Sequence, residues 1–223
     1  MPAKTAALSQ RSRPNTRRAR RSRAVPREEQ ATYSPPEDWH PTHASGGQEY
    51  KVITQPAGAG YAHVVTEEQI RDRLSQLPPE MIEPLEVVQL STMTRKKEQF
   101  PLYGMQWGSS LYLYPLEHEL IEYFDQKPNP AFMIESRMYG GRWHQFGAQW
   151  ELHWTRPAIE DYFLNNILIH ELGHLLDNRN TSYVDRERYA EWFALEHGYK
   201  PSRRKELAGK AARKIVRRRH HSS

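Results

Sequence analysis

The chain has 223 residues, room for one ordinary domain plus tails, with no cysteine and a formal net charge of +5. The missing cysteines exclude a disulfide framework and any thiolate metal site, so a metal would have to be held by nitrogen and oxygen. No apolar stretch reaches membrane-spanning length and no signal-peptide core opens the chain, so the expectation is a soluble cytoplasmic protein without a membrane partner.

The net charge conceals an asymmetry. Residues 1–30 carry nine Lys/Arg and two Glu, residues 200–223 carry ten Lys/Arg and one Glu, and residues 31–199 carry 13 Lys/Arg against 24 Asp/Glu. The reading is a basic, disordered N-terminal tail over 1–46, a folded domain over 47–200 and a basic C-terminal tail over 201–223. The first tail has too few large apolar residues to offset its ordering entropy. Its cluster Arg17, Arg18, Arg20, Arg21 and Arg23 suits phosphate contacts, which makes nucleic acid or another polyanion an expected partner. No aromatic residue sits in that cluster, so base stacking is not supported there.

Order is predicted to begin between Tyr50 and Tyr61. Thr66-Glu67-Glu68-Gln69 reads as a capping box, followed by Ile70, Leu74 and Leu77 on one helical face and by Pro78-Pro79 as a stop. Leu85–Leu90 and Ser110–Tyr114 are strand candidates, with a solvated turn at Thr94–Lys97 between them. Ala131–Arg137 and Arg142–Trp154 read as two further strands, joined by a hairpin at Gly140-Gly141. In the second, Trp150, Leu152 and Trp154 alternate with Glu151 and His153, giving one buried and one wet face. Thr155 and Pro157 open a long helix that runs to about Asp177. A polar loop follows, then a helix from Val184 or Asp185 to a C-cap at Gly198. The fold class is α+β: a small, twisted, mostly antiparallel sheet packed on the long helix, followed by a glutamate-bearing helix.

The long helix carries His170-Glu171-Leu172-Gly173-His174 inside an apolar run. Two histidines four apart project from one face, one turn above the other, and can grip one zinc ion. Glu171 reaches the edge of the same site, where it can act on a water. The alternative is a pair of hydrogen-bonded core histidines. A catalytic zinc site wants a third protein ligand and an open position. The zincins with a close third ligand need Gly, and then His or Asp, where this chain has Asp177 and Asn180, so that branch does not fit. On the next helix Glu187, Ala190, Glu191 and Ala194 share one face, and the two alanines would let it approach closely. Either carboxylate could bind the metal while the other accepts a ligand histidine's free N–H.

The motif and the run Glu187-Arg188-Tyr189-Ala190-Glu191 together resemble the gluzincins, the thermolysin-like metallopeptidases, and are similar to the catalytic domain of the anthrax lethal factor-like proteases. The resemblance covers roughly residues 160–198. It implies a zinc metalloprotease, a hydrolase of peptide bonds in a protein or peptide substrate, with His170, His174 and Glu187 as metal ligands and Glu171 as general base. Glu191 is then the histidine's partner, or the third ligand in a register four residues later. Tyr183 corresponds to the tyrosine by which some relatives stabilise the oxyanion, although its spacing departs from theirs. Substrate would extend along an edge strand within Trp143–Trp154 or Ser110–Tyr114. The region His40–His43 could supply an inhibitory ligand. The competing function is a nucleic-acid-associated regulatory protein that uses its basic tails and keeps a structural zinc site.

Overall fold

The computed structural model of the chain describes residues 40, 49–94 and 102–208. Most of the two tails and the expected turn at 95–97 lie outside the described residues. The strands are β1 (Lys51–Thr54), β2 (Tyr61–Ala62), β3 (Val87–Leu90), β4 (Gly104–Trp107), β5 (Ser110–Leu113), β6 (Leu116–Glu117), β7 (Ile121–Phe124), β8 (Arg142–Phe146) and β9 (Gln149–His153). The helices are α1 (Glu67–Leu74), α2 (Pro79–Ile82), α3 (Pro130–Met138), α4 (Arg156–Tyr162), α5 (Leu168–Leu176) and α6 (Tyr183–Ala194). The expected mixture of helices with small sheets is present.

The main sheet has the order β1-β3-β5-β4, with β1, β3 and β5 parallel and β4 antiparallel to β5. It is therefore mixed rather than mostly antiparallel. A parallel pair needs a long crossover, and α1 and α2 supply it between β1 and β3. Thr66 closes the capping box at the start of α1, accepting from Gln69 N–H while the Gln69 side chain accepts from Thr66 N–H. Strands β2 and β6 form a small ribbon, and β7-β9-β8 form an antiparallel three-stranded sheet.

Val88, Leu90, Leu111 and Leu113 belong to one buried cluster with Leu168, Ile169 and Leu172 of α5. Strand alternation turns Gln89 and Tyr112 to the opposite face. There His40 Nε2 lies 2.7 Å from Gln89 Oε1, and its ring stacks on Tyr112. The inhibitory role expected of His40 is thus not what the structure gives, and His43 lies outside the described residues.

Four expectations need correction. Residues 131–137 are helical, not extended: Asn129 accepts from Ala131 N–H at 2.9 Å and Pro130 takes the first turn, a start signal that outweighs the strand-forming Phe132 and Ile134. Gly140-Gly141 ends that helix instead of forming a hairpin, with Gly140 at φ 93° and Gly141 N–H donating to Ser136 O. Residues 142–154 are not one strand but two, β8 and β9, turning at Gly147 (φ 62°) and Ala148. Finally, β5 is paired on both sides and β9 is the middle strand of its sheet; the main-sheet edge beside α5 is β4.

Thr155 caps α4, accepting from Ala158 N–H. The helix passes through a π-helical turn, Phe163–Ile167, directly into α5. A second π turn, Leu195–Tyr199, follows α6, and helix continues over 200–208, so Gly198 is not a C-cap. Its missing side chain serves contact instead: a Cβ there would stand 1.9 Å from Asn165 O in the first π turn. Pro201 has no N–H for the carbonyl four residues back, that of His197. The buried Arg73 donates to that carbonyl and to Asn165 Oδ1, tying both π turns to α1.

Candidate metal centre

Helix α5 is amphipathic in an unusual sense. Leu168, Ile169 and Leu172 are fully buried, while His170 and His174 line a cleft of about 890 Å³. The last turn ends at Asp177, whose Oδ1 accepts from the N–H groups of Arg179 and Asn180 and so turns the chain toward α6. Ser182 caps α6 by accepting from Asp185 N–H at 3.1 Å. The two helices meet at Gly173, where a Cβ would lie 3.0 Å from Phe193 Cβ and 3.1 Å from Ala190 Cα. Ala190 and Ala194 are buried, as the small-residue face required.

This close approach brings Glu187 over the histidine pair. Nε2 of His170 and Nε2 of His174 are 3.1 Å apart. Glu187 Oε1 lies 3.3 Å from His174 Nε2, and Oε2 lies 3.6 Å from His170 Nε2. Among the described residues this is the group whose donor atoms gather closely enough to hold a metal ion. Glu191 lines the same cleft but is exposed and outside the group. Tyr183, 77% exposed, also lines the cleft. Its pKa is raised by desolvation and by the negative charge and hydrogen bond of Glu187.

The two buried-side carboxylates have opposite electrostatics. Hydrogen bonds from His170 and His174 hold Glu187 down at about 2. Burial pushes Glu171 up, only partly opposed by the neighbouring histidines and by a hydrogen bond from Gln106 backbone. Burial alone would lower His170, but the Glu187 hydrogen bond and the Glu171 charge outweigh it and raise its pKa. One carboxylate is thus held as an anion against imidazole, while burial pushes the other toward its neutral form.

Strand β4 forms the near wall. Tyr114 N–H donates to Tyr103 O, so the alternation turns the Gly104 and Gln106 backbone groups to the outer edge, which no strand pairs among the described residues. Gly104 has no room for a side chain: a Cβ would meet Ile167 Cγ2 at 2.7 Å and Glu171 Cγ at 2.9 Å.

Three cleft residues escaped the sequence reading. Gln106 sits on a short strand with no clear alternation. Arg186 donates from Nη2 to His174 O at 3.2 Å, holding the end of the histidine helix. Glu135, on α3, accepts at Oε1 from Tyr162 Oη at 2.5 Å and Asn166 Nδ2 at 2.8 Å. Arg186 was in plain view within the Glu187 run; Glu135 was hidden by the assignment of its helix as a strand.

No family model, curated protein or solved structure matches the chain. Among the described residues no helix is long and apolar enough to cross a membrane.

Proposed function

We propose that the chain is a zinc-dependent endopeptidase of the gluzincin type, with His170, His174 and Glu187 as ligands and Glu171 as general base. One observation carries this reading: two histidine nitrogens stand 3.1 Å apart, and the Glu187 carboxylate spans them, with one oxygen 3.3 Å from His174 Nε2 and the other 3.6 Å from His170 Nε2. Ligands at about 2.0–2.2 Å in a tetrahedron about zinc are separated by roughly 3.3–3.5 Å. The nitrogen and carboxylate donors suit zinc, and three of them leave the open position that catalytic sites keep. Zinc held there lowers the pKa of a bound water and polarises a carbonyl.

The rest of the work falls to the chain. Glu171, buried and raised in pKa, takes the proton that the attacking water gives up and returns it to the leaving amine. Gln106 N–H keeps its carboxylate aimed across the cleft. Tyr183 Oη, hydrogen-bonded to Glu187, is the donor assigned to a developing oxyanion. An extended substrate adds to the outer edge of β4 through the backbone groups of Gly104 and the carbonyl of Gln106, whose N–H is held by Glu171.

The test is peptide hydrolysis by the zinc-loaded full chain and by Glu171→Gln. The reading expects cleavage by the parent, a loss of at least about 100-fold in the variant and unchanged zinc content in both. Full activity in Glu171→Gln would remove it as the base.

A further inference from the structure

We infer that Glu135 forms a cation subsite, which makes the preferred substrate one with a positive charge within about two residues of the bond that is cut. The inference rests on the cleft being the substrate site proposed above.

Glu135 lies on the wall that α3 contributes to the cleft, beside Ala131 and Phe132. Tyr162 Oη and Asn166 Nδ2 both donate to Oε1. Two donors anchor Oε1, and no hydrogen bond to Oε2 is seen among the described residues. Both donors are neutral, so neither cancels the charge, and among the described residues no Lys or Arg pairs with Glu135. The cleft also holds Glu171, Glu187 and Glu191 against a single guanidinium, Arg186, which is already engaged with His174 O. Glu135 acts electrostatically on His170 but lies outside the His170–His174–Glu187 group, so a divalent metal there would not take it as a ligand.

A carboxylate locked by neutral donors at the wall of a cleft is completed by an ammonium or guanidinium. Its place along the substrate follows from the helix. Asn166, in the π turn, precedes His170 by four residues, roughly one helical turn of about 5–6 Å, which an extended peptide spans in about two residues. The charge can come from a basic side chain or from a free α-amine.

The experiment measures binding to the zinc-loaded full chain carrying Glu171→Gln, with and without Glu135→Gln. The probes are a blocked alanine hexapeptide with one central lysine, its norleucine analogue, and the norleucine analogue with a free N-terminus. Gln at position 135 keeps the acceptor oxygen and removes only the charge; unchanged zinc content and circular dichroism verify the fold. The expected result is at least a tenfold preference for a charged probe over blocked norleucine, abolished by Glu135→Gln. The lysine and free-amine probes identify the source of the charge. Equal affinity for all probes, a preference that survives Glu135→Gln, or no binding of any probe would overturn the inference. Cleavage of the same peptides by the chain with native Glu171 keeps the two claims apart. Preference without cleavage sinks the peptidase reading alone, and cleavage without preference sinks only the Glu135 subsite.

Discussion

Gly173 and Ala190 are in contact across the α5–α6 interface, with little space for a Cβ on the glycine: one built there would lie 3.1 Å from Ala190 Cα. This contact sets how far Glu187 reaches over His170 and His174. Gly173→Val should therefore cost about 1–3 kcal/mol by overpacking, despite the poor helix propensity of glycine. It should also weaken metal binding, because a few tenths of an ångström at the interface moves one ligand against two. Denaturant unfolding and metal titration of the variant check both. A variant that keeps full metal affinity would show that α6 can shift without moving Glu187.

Arg73 joins α1 to both π turns through Asn165 Oδ1 and His197 O. Arg73→Met should lose about 1–3 kcal/mol, since two partly buried acceptors lose a charged donor. Lysine should not restore it, because one ammonium on a single stem cannot reproduce the planar fork. Unfolding free energies from urea curves decide this; a loss under about 0.5 kcal/mol would place the tie elsewhere.

The ligand cluster has its own pH signature. Glu187 is depressed to about 2, so its contribution is present above the ordinary carboxylate value of 4.5 and fades as pH falls toward 2. His170 is raised above 6.5, so its contribution is present below 6.5 and is lost as pH climbs through the raised value. With chelator, this cluster should stabilise the chain most between pH 4.5 and 6.5. With zinc the histidines must be neutral, and the optimum should move upward. Urea midpoints across pH, with and without zinc, measure the shift. An identical profile in both would mean that zinc does not bind these groups.

Much of the site was legible because its signals are local. The spacing of His170 and His174 depends only on helix geometry, and the small face Ala190/Ala194 announces a close neighbour. The capping box at Thr66 and the cap at Thr155 are equally local, and both formed. What was not legible depends on tertiary pairing. Strand β4 is four residues long, led by a glycine, and gains its meaning from β5 on one side and Glu171 on the other. Phe132 and Ile134 pulled α3 toward a strand reading although Asn129-Pro130 marks a helix start, and Glu135 was lost with it. The glycine at 198 reads locally as a stop, but Asn165, 33 residues earlier, explains it.

The most direct measurement is the metal content of the purified full chain after zinc supply, for the parent, His174→Ala, Glu187→Ala and Glu191→Ala. The account predicts one zinc per chain in the parent and in Glu191→Ala, and its loss in His174→Ala and Glu187→Ala. No zinc in the parent, or retention in Glu187→Ala with loss in Glu191→Ala, would contradict it.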